Sequence, residues 1–183
     1  AAKREGLLIP HLCHSDEIGY QPDGNCRACM VEIEGERTLA ASCIRRPSDG
    51  MKVISNSNKA STARKAVFEL LASDQPEKKS HPDPNSKFWQ WSAKMDINEH
   101  KYPKIKNISR DISHKAMHVN LDACINCNLC VRACRDVQVN DVIGMSYRGH
   151  SSKVTFDFDD PMGDSTCVAC GECVQVCPTG ALI

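Results

Sequence analysis

Twelve cysteines are the residues of this 183-residue chain most able to do chemistry. Thiols in that number can form disulfides, hold zinc or hold iron–sulfur clusters. Spacing separates the three. Cys124, Cys127, Cys130 and Cys134 form a C-x2-C-x2-C-x3-C run, and Cys167, Cys170, Cys173 and Cys177 repeat it, with Pro178 next. Three thiolates set two residues apart can wrap three corners of a cubane, while backbone N–H groups of the intervening loop turn toward the sulfurs. In the bacterial two-cluster pattern the fourth cysteine of each run serves the other cluster. One 4Fe–4S cluster is therefore expected on Cys124, Cys127, Cys130 and Cys177, and a second on Cys134, Cys167, Cys170 and Cys173. Zinc takes ligands as two pairs and fits two triplets poorly. Ile125, Leu129, Val131, Val168, Val174 and Val176 are the apolar residues placed to shield the clusters, and Ala169 and Gly171 leave room for close backbone approach.

The remaining four cysteines, Cys13, Cys26, Cys29 and Cys43, lie in the first quarter of the chain. Four cysteines suffice for a 2Fe–2S cluster, although the first gap is longer than the plant-type C-x4-C-x2-C rule allows. His11 and His14 flank Cys13. They could in principle ligate as in Rieske centres, but with four thiols present they read as packing or supporting residues.

Composition narrows the function classes. Basic and acidic residues balance at 23 each, which argues against nucleic acid as a partner, since that binding rests on phosphate neutralisation. No apolar run reaches the ~18 residues of a membrane span, so no membrane insertion is expected. Reduced thiols in such number suit the cytoplasm. There is no Rossmann glycine pattern, no catalytic residue is assigned, and Asp159, Asp160 and Asp164 read as a solvated acidic loop, not a calcium site.

These cysteines need elements to position them. Val31 and Ile33 alternate with Glu32 and Glu34, the period of a half-buried strand. Gly35 turns the chain, and 38–41 can pair back. Ala63, Val67, Leu70 and Leu71 fall on one face of a helix starting near Ser61 or Thr62. From about Ser73 to His118 the chain is polar and rich in proline, and reads as an extended connector pinned by Phe88, Trp89, Trp91 and Tyr102. Val154, Phe156 and Phe158 alternate as a hairpin strand. Short helices are expected around 130–137 and 171–177.

The run Ile9-Pro10-His11-Leu12-Cys13, followed by Gly24-Asn25-Cys26-Arg27-Ala28-Cys29-Met30-Val31-Glu32-Ile33-Glu34-Gly35, resembles the 2Fe–2S domain of a family of NAD-linked complexes. The family includes the large iron–sulfur subunit of respiratory complex I, the diaphorase part of NAD-reducing hydrogenases, and the alpha subunit of NAD-dependent molybdenum or tungsten formate dehydrogenases. Most members carry a further cluster on one histidine and three cysteines. Their His-Pro aligns with Gln75-Pro76 and their first such cysteine with Lys79; His81 lies close by, and no cysteine occurs between Cys43 and Cys124. The loss of that cluster, and the stretch Phe158-Asp159-Asp160-Pro161-Met162-Gly163-Asp164-Ser165-Thr166-Cys167-Val168-Ala169-Cys170-Gly171-Glu172-Cys173, bring the chain nearest to the formate dehydrogenase group.

The resemblance implies an α+β fold in three parts. Residues 1–73 form a truncated plant-type 2Fe–2S ferredoxin (β-grasp) domain without its N-terminal hairpin. Residues 74–118 form an extended linker without the histidine–cysteine cluster, and residues 119–183 form a bacterial-type two-4Fe–4S ferredoxin domain. Ala1–Leu7 reads as the end of a helix stopped at Gly6. The family pattern places the chain within a longer alpha subunit, with the Mo/W-bis-pterin domain following. Its partners would be the remainder of that subunit and a flavin subunit that binds FMN and NAD and has its own iron–sulfur clusters. Electrons from formate would reach that subunit through this segment. The diaphorase iron–sulfur subunit of an NAD-reducing hydrogenase, or a complex I relative, is the alternative.

Overall fold

The computed structural model describes residues 2–104 and 108–183. Ala1 and part of the expected connector, 105–107, lie outside the described residues. A 3-10 turn over Ala2–Glu5 ends at Gly6, whose φ of +71° only glycine adopts without strain.

Strand β1, Met30–Ile33, buries Val31 and Ile33 and leaves Glu32 half-covered. It pairs antiparallel with β2, Ala40–Ala41, on one side and with β3, Val53–Ile54, on the other. The Met30↔Ala41 register sets Cys29 and Ser42 side by side, where the Ser42 N–H donates to the Cys29 carbonyl at 3.1 Å. The expected hairpin is present, but its second strand is only two residues long.

Helix α1, Asn58–Ser73, packs on β1. It starts before the expected point because Ser57 is the cap, its hydroxyl accepting from the Ala60 N–H at 3.2 Å. Its buried face also differs from the expected one. Ala60, Phe68 and Ala72 are buried, whereas Leu70 is 58 % exposed. The reason lies in the connector, which is not wholly extended: Lys87–Lys94 forms helix α2. Phe88 stacks on Phe68 with ring centroids 5.8 Å apart, and Trp89 meets Phe88 edge-on at 5.1 Å. These contacts turn α1 toward α2. Phe88 and Trp89 are the anchors, Trp91 packs at the margin, and the Tyr102 side chain is exposed, its backbone N–H donating to the Ser73 hydroxyl at 3.2 Å.

The C-terminal part begins at a 3-10 turn over Leu121–Ala123. Helix α3, Leu129–Arg132, runs straight into a π-helical turn over Ala133–Val137, a deviation that tends to mark functional sites. Strands β4, Ile143–Ser146, and β5, Lys153–Phe156, make an antiparallel hairpin. Phe158 is not part of it. Asp157 turns to a φ of +46°, and Phe158 is left 97 % exposed. Helix α4, Glu172–Val176, closes the second motif and packs on α3.

Two apolar cores join these parts, and both cross the expected boundaries. One gathers Cys13 and Tyr20 with Leu129, Val131, Ile143, Phe156 and Leu182. The other joins Leu12, Ala28 and Phe68 to Phe88, Trp89 and Ile97. Among the described residues no helix is long and apolar enough to cross a membrane.

Candidate iron–sulfur cluster sites

All twelve cysteines are free thiols, so no disulfide framework exists. The structure sorts the eight C-terminal ones into two sets. Cys124, Cys127, Cys130 and Cys177 line one small cavity with Ile125 and Pro178. Cys134, Cys167, Cys170 and Cys173 line another with Val142 and Gly171. Each set draws three cysteines from one run and the fourth from the other.

Local backbone makes both cradles alike. Asn126 and Ala169, each two residues after the first cysteine of its run, have φ of +51° and +58°. In that conformation the Asn126 N–H donates to the Cys124 Sγ, and the Ala169 N–H to the Cys167 Sγ, both at 3.4 Å. Asn128 and Gly171, each just after the second cysteine, are left-handed too, at +64° and +76°. A left-handed alanine is uncommon and strained. Two matched strained positions in two separate loops point to a demand placed on the backbone by the site. The Val142 N–H likewise donates to the Cys134 Sγ at 3.4 Å.

Burial raises the enclosed thiols of both sets. Burial pushes the Cys127 thiol up, aided by the neighbouring Cys124, Cys177 and Cys13. Cys130 is raised well above the ordinary thiol value, again by burial and then by Cys127, Cys124 and Cys177. Cys173 is pushed up to about 12, by burial and by Cys167, Cys170 and Cys134. Thiols so placed ionise only if a positive centre occupies the cavity between them. That donor set fits iron–sulfur clusters. Among the described residues no three His, Cys, Asp or Glu side chains converge closely enough for a single metal ion.

The shielding residues differ in their exposure. Leu129 and Val131 are buried, and Ile125, Val174 and Val176 pack against the core. Val168 lines the second cavity yet is 62 % exposed, and Cys170 is exposed beside it. The second site therefore has one edge open to solvent.

The N-terminal cysteines also meet. Cys13 and Cys26 exchange backbone bonds, each N–H donating to the other's Sγ at 3.4 and 3.3 Å. The Cys26 and Cys43 thiols hydrogen-bond to Cys13 and hold it low, while Cys43 does the same to Cys29. Cys26 and Cys43 are raised in turn, chiefly as the partners that keep the proton. Four thiols linked in the order Cys26, Cys13, Cys43 and Cys29, two of them primed to ionise, fit a cluster that takes thiolates. His11 and His14 stand outside this set. His11 Nδ1 lies 2.9 Å from the Ile9 carbonyl, and His14 Nε2 lies 3.2 Å from Asp16.

Gln75, aligned with the histidine of the further cluster, is buried and bonded at 3.0 Å to His81, which lies near the aligned positions and is buried as well. His81 meets Trp89 edge-on at 5.7 Å, and Lys79 is exposed.

One residue of these sites gave no sequence signal. Arg132 lies in the x3 gap of the first run, and its buried guanidinium reaches the carbonyls of Cys13 and Cys127 at 2.7 and 3.5 Å. The left-handed Asn126 and Asn128 could have been suspected, since asparagine tolerates that conformation.

Family models match both cysteine-bearing regions. The family described as "2Fe-2S iron-sulfur cluster binding domain" matches residues 1–58, and the "4Fe-4S dicluster domain" matches residues 123–181. The chain is 34 % identical to the NADP-reducing hydrogenase subunit HndD of Solidesulfovibrio fructosivorans, over 100 % of this chain and 32 % of that protein. It is 30 % identical to a putative formate dehydrogenase of Staphylococcus haemolyticus, over 99 % of this chain and 18 % of the relative. It is 31 % identical to an NADH-quinone oxidoreductase subunit of Rhizobium meliloti, over 100 % of this chain and 22 % of the relative. It thus spans a third or less of these curated relatives. Among solved structures, a chain of an NAD+-reducing [NiFe]-hydrogenase in the H2-reduced state superposes with a TM-score of 0.89 at 26 % identity, covering 100 % of this chain and 77 % of that one.

Proposed function

We propose that this chain, an iron–sulfur segment carrying a 2Fe–2S and a 4Fe–4S dicluster domain, is the electron relay of an NAD-dependent formate dehydrogenase. In this reading Cys13, Cys26, Cys29 and Cys43 hold the 2Fe–2S cluster. Cys124, Cys127, Cys130 and Cys177 hold the first 4Fe–4S cluster, and Cys134, Cys167, Cys170 and Cys173 the second. The clusters supply reversible one-electron transfer. A Mo/W-bis-pterin site elsewhere in the alpha subunit would oxidise formate, and a flavin subunit with FMN would reduce NAD.

The residues of this chain contribute geometry and insulation. The left-handed loops turn N–H groups onto the sulfurs, which steadies thiolate charge. Leu121, Ile125, Val154 and Leu182 line the first site and keep water from it. The open edge at Val168 and Cys170 offers the second site a short approach to another redox centre.

The observation that carries the relay reading is the pair of cavities lined by exchanged cysteines, Cys177 in one and Cys134 in the other. The choice of formate rests on Gln75 and Lys79, which stand where most of the resembling family holds a histidine and a cysteine of a further cluster, and on the stretch 158–173. The structural likeness to an NAD+-reducing hydrogenase favours a second reading, the diaphorase iron–sulfur subunit of such an enzyme. Metal and pterin analysis of the native complex decides. Molybdenum or tungsten with pterin is expected, and nickel in their place overturns the formate reading.

A further inference from the structure

The two cluster regions meet at one side chain. Arg132, on α3 between Cys130 and Cys134, keeps only 6 % of its side chain exposed. Its Nη2 donates to the Cys13 carbonyl at 2.7 Å and to the Cys127 carbonyl at 3.5 Å. Its Nη1 donates to the Gln21 carbonyl, and its Nε to the Asn128 carbonyl at 3.3 Å. The guanidinium fork thus spans the Cys13 loop and the first C-terminal run. A second tie runs beside it, from Asn25 Nδ2 to the Asn126 carbonyl at 2.9 Å.

The charge of Arg132 is only partly offset. Its nearest carboxylate, Asp23, stands 3.7 Å away and is itself 29 % exposed. A second basic residue comes from α2: burial lowers the pKa of Lys87, while Asp16 and then Cys26, Cys127 and Cys13 act to raise it. Two basic side chains from distant parts of the sequence therefore act on the same two groups of sulfurs, Arg132 through its bonds to the Cys13 and Cys127 carbonyls and Lys87 through its charge, with Asp16 offsetting Lys87.

We infer that Arg132 is a positioning and tuning residue for the 2Fe–2S site and the first 4Fe–4S site, its buried fork on Cys13 and Cys127 fixing their separation and its charge favouring their reduced forms. The inference rests on the proposed cysteine ligation. A reduced cluster carries one more negative charge than the oxidised one, so a nearby fixed cation raises the potential. A planar five-donor fork also holds two loops in one geometry, which an ammonium cannot do.

The test uses the full-length protein in its native complex, with Arg132→Gln, Arg132→Lys and Lys87→Met compared by redox titration followed by electron paramagnetic resonance. Arg132→Gln should lower the potentials of the 2Fe–2S cluster and the first 4Fe–4S cluster. A tenfold change in the ratio of reduced to oxidised cluster, about 59 mV for one electron, is the expected scale, with a smaller change at the second. Arg132→Lys should keep both potentials near wild type but alter the magnetic splitting between the two reduced clusters. Lys87→Met should lower the same two potentials and leave the splitting alone. Unchanged potentials in Arg132→Gln, or equal shifts of all three clusters, overturn the inference. If Arg132→Gln does not assemble, Arg132→Lys decides, and a wild-type splitting there overturns it. Iron and acid-labile sulfide are measured on every sample. Their absence from the wild-type protein removes the ligation itself, an outcome distinct from failure of the Arg132 role.

Discussion

The backbone N–H of Phe88 donates to the carbonyl of Pro178 at 2.9 Å. Phe88 opens a helix in the connector, and Pro178 follows Cys177, a cysteine that reaches across to the first run. The connector thus grips the chain where the crossing thiol emerges.

Phe88→Ala should destabilise the protein by about 3–5 kcal/mol, the usual cost of emptying a fully buried aromatic site. Phe88 has no exposed surface and touches both Phe68 and Trp89. Denaturant unfolding should show a lower midpoint with an unchanged slope.

Gly180→Ala tests the same grip from the other side. Gly180 sits at a φ of +69°, and an added Cβ would lie 2.5 Å from the Asp83 Cβ. Backbone strain and the clash together should cost about 2 kcal/mol or more. Gly50 is the control: its φ is +74° with nothing within 4 Å, so Gly50→Ala should cost only about 1 kcal/mol. Thermal unfolding of the two variants checks the difference.

His81 should make stability depend on pH. Burial lowers its pKa, against the opposing effect of Asp83. Its Nδ1 accepts the Asp83 N–H at 3.1 Å, so the ring proton sits on Nε2, facing the Gln75 Oε1. The folded state therefore prefers neutral imidazole. Its contribution is complete above the unfolded value of about 6.5 and is lost as pH falls through the lower folded value. Melting temperature should fall from pH 7 toward pH 5.5, and His81→Gln should flatten that slope. An equal slope in both proteins would remove His81 as the cause.

The ligand runs were legible because cluster ligation is written in local spacing. A C-x2-C-x2-C-x3-C run carries its geometry within eleven residues, and Val31 and Ile33 carry strand period in four. What stayed hidden depends on distant partners. Arg132 bonds to residues 111 and 119 positions earlier, and nothing near it in sequence marks that. Helix α2 is only eight residues long in a proline-rich stretch, and its packing on Phe68 holds it. The same contact rotates the face of α1 away from Leu70. Phe158 kept the strand period yet left the strand, because Asp157 turns the backbone first.

The exchange of Cys134 and Cys177 is the centre of the account, and electron paramagnetic resonance of the reduced Cys177→Ser protein tests it most directly. The signal of the first 4Fe–4S cluster, on Cys124, Cys127 and Cys130, should be lost or altered while the second persists. Loss of the second signal with the first intact would contradict it.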